Sequence, residues 1–206
     1  LALPTSDHDR YALSFTSGAL LTREAGIAAP LYLETGNWQA VRIRLTDGNL
    51  FQARTTSSAV RLARETVQRL RVFTTVELEL LVEASPSERH LLMWVAACRR
   101  YALIGEFAEE VVRERYLLLT STLSYAEFDS FVAGKTLWHP ELAEVKESTL
   151  KKLRATVFRM LAEADLLVGD QIQQAVVSER VRGVLDARVL SDIRFLPVRV
   201  PTEVLQ

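Results

Sequence analysis

The stretch Ser148–Gln173, STLKKLRATVFRMLAEADLLVGDQIQ, constrains the fold more than any other, because a helical period runs directly into a hairpin turn. Ser148 suits an N-cap, and Leu150, Leu153, Val157, Met160, Leu161 and Ala164 recur at helical spacing as one apolar stripe. At ~100° per residue, Lys151, Lys152, Ala155, Thr156 and Arg159 project to the other side, which predicts a basic face that also carries a small residue and a hydroxyl. Gly169-Asp170 then separates two short apolar runs, as the turn of a small hairpin does. Upstream, Tyr125–Leu137 and Glu141–Val145 read as two further short helices, joined to the basic helix through Lys146-Glu147-Ser148. A short helix, a capped basic helix and an immediate hairpin follow the order of a winged helix-turn-helix, whose second helix approaches nucleic acid. A solvated helix resting on a core carries lysines in the same way, and the pattern by itself leaves that plainer reading open.

The remaining chain reads as helices punctuated by caps. Thr16-Ser17 is placed to cap a helix that carries Leu20, Leu21, Ala25, Ala28 and Leu31, is expected to kink at Pro30 and ends at Gly36. Asn37 caps Trp38–Leu45, which stops at Asp47-Gly48-Asn49, and Ser57-Ser58 cap a helix to about Val72. In that last helix Leu62, Ala63, Thr66, Val67 and Leu70 turn inward, leaving Arg61, Arg64, Gln68 and Arg71 outside. Thr74-Thr75-Val76-Glu77 and Ser124-Tyr125-Ala126-Glu127 are capping-box sequences. Ser85-Pro86 opens a helical region to about Leu119, with Gly105 as the point where it would split. The tail after Leu185 fits an extended arm or a docked strand equally well. The predicted fold class is all-α, mainly helical: an N-terminal helical bundle over residues 1–123 and a C-terminal winged helix-turn-helix-like unit with a small β-hairpin over residues 124–206.

Charge narrows the function. The 206 residues carry a formal net charge of -1, so contact with nucleic acid must come from local patches rather than a global field. Between Gly36 and Phe73, Arg42, Arg44, Arg54, Arg61, Arg64, Arg69 and Arg71 face only Asp47 and Glu65. From Gly105 to Glu147 the balance reverses, with nine acids against Arg113, Arg115, Lys135 and Lys146. Asymmetry of this kind suits a binding protein. The candidate DNA-binding residues are Ser148, Thr149, Lys151, Lys152, Thr156 and Arg159 on the basic helix, with Arg61, Arg64 and Arg71 as a second surface.

Enzyme chemistry lacks its fingerprints. His8, His90 and His139 have no companions at zinc-ligand spacing, and Cys98 is the single cysteine, placed in the apolar run Leu91–Cys98 as a buried small hydrophobe. No GxGxxG, GxxxxGK or GxSxG occurs. Neither catalytic residues, nor a metal, nor a cofactor, nor a small-molecule substrate is expected. One cysteine permits no disulfide within the chain, which makes a reducing, cytoplasmic setting the default. The uncharged stretch Tyr116–Ala126 has eleven residues and several hydroxyls, against the ~20 mostly apolar residues of a membrane-spanning helix.

Four stretches carry a family resemblance: YALSFTSGALLTREAGIAAPLYLETGNW, NLFQARTTSSAVRLARETVQRL, CRRYALIGEFAEEVVRERY and WHPELAEVKESTLKKLRATVFRMLAEADLL. Together they resemble the BrxA family of bacteriophage-exclusion (BREX) defence loci. The resemblance implies antiviral defence, an accessory role beside methyltransferase and ATPase partners, and binding of double-stranded DNA. It also brings the family's older label of inner-membrane protein, which the lack of a spanning stretch contradicts. Two functions of different class follow. One is a non-enzymatic DNA-binding accessory protein; the other is a scaffold whose arginine-rich and acidic surfaces dock other BREX proteins.

Overall fold

A helix built on Leu91–Cys98 is apolar on every side, and such a helix is stable only at a centre. In the computed structural model, which describes residues 10–15 and 18–199, that is its position. Helix α5 (Pro86–Arg100) has every residue from Leu91 to Cys98 buried, with Trp94 fully enclosed. Around it lie α1 (Thr22–Thr35), α3 (Thr56–Leu70) and α4 (Thr75–Glu83), while α2 (Trp38–Asp47) packs on α1 and α3 from outside. The chain continues through α6 (Ala102–Phe107), a π-helical segment (Ala108–Arg113), α7 (Glu114–Leu117), α8 (Tyr125–Lys135), a 3-10 turn (Pro140–Leu142) and α9 (Glu147–Glu163). It closes with β1 (Leu167–Val168), β2 (Gln171–Ile172), α10 (Glu179–Asp186) and a second 3-10 turn (Asp192–Phe195). The mainly helical class read from the sequence is the observed one.

Most helix starts are set by local capping. The Asn37 side chain accepts from the backbone amides of Gln39 and Ala40, and Thr74/Glu77, Ser85/Glu88 and Ser124/Glu127 each form a reciprocal capping box. Several boundaries differ from expectation: α1 begins only at Thr22, past Leu20 and Leu21, and a 3-10 turn at Pro140–Leu142 stands where the sequence predicts a helix Glu141–Val145. Thr55, not Ser57-Ser58, caps α3, because four consecutive hydroxyl residues are locally equivalent and packing selects the first. Lys146 stands at the cap position of α9 and makes no side-chain cap bond, so Ser148 lies inside the first turn. The long helical region breaks at Tyr101 (φ -124, ψ 99) rather than at Gly105. Gly105 has another purpose: a Cβ there would lie 2.9 Å from the Cys98 carbonyl oxygen and 3.2 Å from the Phe195 ring. The expected cap Thr16-Ser17 lies outside the described residues.

The break at Tyr101 is held by buried charge. The Tyr101 hydroxyl donates to Glu65, 2.7 and 2.8 Å from its two oxygens, and Arg69 Nε donates to Glu65 Oε1 at 2.9 Å. Arg69 also donates to the carbonyl of Ala19, tying α3 to the segment ahead of α1. Burial, with the Glu65 charge beside it, pushes the Tyr101 hydroxyl up to about 12. A second network lies at the same, C-terminal end of α5. Arg99 meets Glu77 at 2.5 Å and Asp192 at 2.7 Å, and Arg188 approaches both carboxylates. Burial alone would raise the Glu77 carboxyl, but the Arg99 hydrogen bond, the Thr74 amide and the fields of Arg99 and Arg188 together hold it below the usual range.

As far as Arg199, where the described residues end, the tail is neither an extended arm nor a strand. Ser178 caps α10, which packs on α4 and on the second 3-10 turn, and Trp94 Nε1 donates to the Phe195 carbonyl at 2.9 Å. Residues 175–198 thereby close the bundle around α5, with Ile193, Phe195, Leu196 and Val198 buried.

Two stability predictions arise here. Glu65→Gln leaves Arg69, fully buried, without a charged partner, and is expected to lower unfolding free energy by ~3–5 kcal/mol. Denaturant titration measures this, and a loss below ~1 kcal/mol would contradict the role given to the pair. The second concerns acid. Glu77 is held below its unfolded value of ~4.3, so its contribution is present above that pH and is lost as the pH falls through the folded value. Thermal midpoints from pH 7 down to pH 3 should therefore fall less in Glu77→Gln than in the wild type; parallel curves would refute the assignment.

Candidate nucleic-acid interface

Residues 121–172 form one small unit in which α9 is fixed on three sides. The β1–β2 hairpin pairs Leu167 with Ile172 and Val168 with Gln171, and Gly169 takes φ 62 at the turn, a conformation glycine adopts without strain. A third extended segment lies beside it: Thr122 bridges Gln171, the Leu123 amide donates to the Asp170 carbonyl and the Ile172 amide donates to Ser121. The order is therefore extended segment, α8, 3-10 turn, α9 and hairpin. On a second side, Arg154 pairs with Asp129 of α8 and stacks over Tyr125, its guanidinium carbon 4.4 Å from the ring centroid. Phe158 meets the same ring edge-on at 4.7 Å. The third side is the core, where Leu153, Val157, Met160 and Leu161 are fully buried. Leu150 is half-buried at its edge.

What remains free is narrower than the sequence suggests. Lys151, Lys152 and Arg159 are exposed, and Ala155 is half-buried among them. Thr156 is 5% exposed and its hydroxyl donates to the Lys152 carbonyl, so its placement on the free face is corrected. Thr156 falls one turn from both Leu153 and Met160 and shares their buried side. Lys151 is held 2.6 Å from Glu147 one turn earlier, which draws the Glu147 carboxyl below its usual range. Lys152 and Arg159 meet no carboxylate among the described residues. At the start of the helix Ser148 is exposed and Thr149 half-buried, and no side chain caps the first amides. Lys146 adds an exposed cation there that the sequence reading did not single out. Between α9, the start of α8 and the hairpin runs a groove of about 570 Å³, lined by Tyr125, Ala155, Arg159, Leu167, Gly169 and Asp170 among others.

The second surface also changes. Arg61 and Arg64 are exposed on α3 and Arg71 at its C-cap, whereas Arg69 is the buried partner of Glu65 and leaves the basic count. The acidic stretch is partly neutralised from within, since Lys135 lies 2.5 Å from Glu106 and 2.7 Å from Glu110. Another cavity, about 810 Å³, opens between α5–α6 and residues 187–195, but the charged groups in its wall are engaged: Arg99 and Arg188 with Asp192, and Arg194 with Glu109. Among the described residues no three His, Cys, Asp or Glu side chains gather as a metal site would need, and no helix is long and apolar enough to cross a membrane.

Comparison with known proteins decides the family, because the BrxA family model matches residues 9–189. The chain belongs to the BrxA family. Two curated relatives bear the name BREX protein BrxA. The one from Escherichia coli O9:H4 (strain HS) is 28% identical over 147 residues, 71% of this chain and 69% of its own. That from Paramagnetospirillum magneticum (strain ATCC 700264 / AMB-1) is 24% identical over 174 residues, 84% and 87%. The fold is also similar to a crystal structure of an uncharacterized protein from Magnetospirillum magneticum, with a TM-score of 0.73, 22% identity and coverage of 85% and 91%. BrxA membership places the chain among BREX defence-system proteins.

Proposed function

We propose that this BrxA protein is a non-enzymatic, cytoplasmic accessory subunit of a BREX anti-phage system that binds double-stranded DNA through a winged helix-turn-helix. The observation that carries the reading is the free face of α9. Lys152 and Arg159 point to solvent without carboxylate partners, on a helix flanked by a hairpin and preceded by a 3-10 turn and α8 in winged-helix order. In such a unit the second helix enters the major groove and the hairpin lies along the adjacent backbone. Lys151 is assigned a phosphate in exchange for Glu147, an exposed pair of small net worth. The Thr149 amide donates to the Lys146 carbonyl at 2.8 Å, and the amide of Ser148, which no side chain caps, favours a phosphate at the same end. Arg61, Arg64 and Arg71 form a second contact surface in this reading, and Thr156 drops out as a contact.

A scaffold function is the second reading, and a specific feature favours it. Leu137 and Trp138, in the connection after α8, are 83% and 79% exposed, an apolar pair of a kind that anchors protein interfaces. Under that reading other BREX proteins dock here and on the charged surfaces.

Salt dependence separates the two. Lys151→Glu/Lys152→Glu is expected to bind a random duplex at least ~10-fold more weakly, with a shallower salt slope, since each phosphate contact contributes ~0.9 to the slope. Duplex affinity at two salt concentrations and the thermal midpoint are measured on the same protein. Unchanged affinity with an unchanged midpoint rules the α9 assignment out. The Arg61→Ala/Arg64→Ala/Arg71→Ala variant tests the second surface. It should weaken unrelated duplex sequences alike, because phosphate contacts carry no sequence information, while circular dichroism stays constant. Wild-type affinity in that variant would favour a protein partner for the α3 surface.

A further inference from the structure

Packing of α2 against α3 brings together cations that the sequence keeps far apart. On α3 and its C-cap, Arg64, Gln68 and Arg71 recur at i, i+4 and i+7 and share one face; on α2, Gln39 and Arg42 are one turn apart. The two faces meet around a small cavity of about 110 Å³, which Trp38 completes. Three arginine side chains thus line one concavity. None of the three has a carboxylate within ion-pair distance among the described residues, although Arg44, the next arginine along α2, is paired with Glu34 at 3.0 Å. Within the concavity the contact of note is Arg42 with Gln39 Oε1, at 3.5 Å.

Like charges gathered without a counter-charge repel one another, and the repulsion grows where protein walls displace water. A protein surface relieves it by interleaving acids, as it does at Arg44. Here the side chains interleaved are two glutamines, which offer amide N–H donors to an anion and impose no negative charge. Planar guanidinium forks beside amide donors make the kind of donor set that binds tetrahedral oxyanions, up to two oxygens per arginine. The cavity is of the scale of one such group with its hydration, a single water occupying ~30 Å³ of the liquid.

The geometry points to a phosphate-binding site between α2 and α3, formed by Arg42, Arg64 and Arg71 with Gln39 and Gln68. It shares Arg64 and Arg71 with the second surface proposed above but does not rest on α9 or on duplex binding, and it adds Arg42 and a defined pocket. The group it takes is a phosphate oxyanion, either free or as the phosphodiester of nucleic acid.

Inorganic phosphate is titrated at constant ionic strength with chloride as the reference anion, following the thermal midpoint and tryptophan emission. Trp38 lines the pocket and stacks on Tyr32 at 4.0 Å, so occupancy should alter its emission, with Trp38→Phe identifying the source. The expected result is a saturable rise in midpoint that is lost in Arg42→Ala and kept in Lys151→Glu/Lys152→Glu. Gln68→Glu supplies the missing carboxylate from within. It should raise the midpoint in phosphate-free buffer and abolish the phosphate response. A parallel arm measures random-duplex affinity of Arg42→Ala. A loss of about 3- to 10-fold, with the salt slope lowered by about one, assigns the site to a phosphodiester. Unchanged duplex affinity with a lost phosphate response assigns it to a free phosphate. Absence of any saturable phosphate response in the wild type, together with wild-type duplex behaviour of Arg42→Ala, overturns the site. Since α9 is untouched in Arg42→Ala, Trp38→Phe and Gln68→Glu, the winged-helix reading stands or falls separately.

Discussion

Everything in this protein is arranged to bury α5 on all sides. Eight consecutive residues, Leu91–Cys98, are inaccessible, and each large apolar side chain among them contributes about 1.5–3 kcal/mol only when it is enclosed. Helices α1, α3 and α4 cover part of that helix, α9 another, and the second 3-10 turn the rest. Trp94 makes the requirement explicit. An indole at that depth must satisfy its N–H, and the acceptor is the Phe195 carbonyl, over a hundred residues later. The C-terminal segment is thus a structural wall of the bundle, and the units read from the sequence as residues 1–123 and 124–206 meet in one hydrophobic core.

Charge follows from the same enclosure. Where α3 and α4 face α5, the side chains of Glu65, Arg69, Glu77 and Arg99 are inside, paired with one another, with Tyr101 and with Asp192, and Arg69 Nη2 is left without a partner. Such networks are specific because each member left alone would be a buried charge. The arginines outside divide again. Arg44, Arg115, Arg180 and Arg188 meet acids, whereas Arg42, Arg64 and Arg71, with Lys152 and Arg159 on α9, do not. A chain with near-zero net charge therefore presents two cationic areas by internal pairing of its other charges. This is the physical basis on which DNA binding is proposed for a BrxA protein whose net charge alone argues for nothing.

The local rules were legible wherever a few adjacent residues carry the whole interaction. Asn37, Thr74-Glu77, Ser124-Glu127 and Gly169-Asp170 are bonded as their residue types dictate, since donor and acceptor lie within one turn. The apolar stripe of α9 was also readable, apart from Thr156, whose polarity masked its position between Leu153 and Met160. Errors appear where the local signal is degenerate. The run Thr55–Ser58 offers four caps and packing uses one; Gly105 looks like a break, yet its missing Cβ makes room for the Cys98 carbonyl and the Phe195 ring. Helix α10 had a cap in Ser178 and an inward pair in Val181 and Leu185, but eight residues are too few for periodicity to declare themselves.

The sequence by itself determined the helical class, most helix starts, the hairpin turn and the BrxA resemblance, because periodicity, capping and motif order are properties of neighbouring residues. Only the tertiary structure decided which charges are spent and which are left over. Arg69 and Arg71 are two residues apart and indistinguishable by type, yet one lies fully buried against Glu65 and the other is exposed beside Arg42. Ionic pairing depends on distance in space and on the dielectric around it, and both are set by which helices pack together.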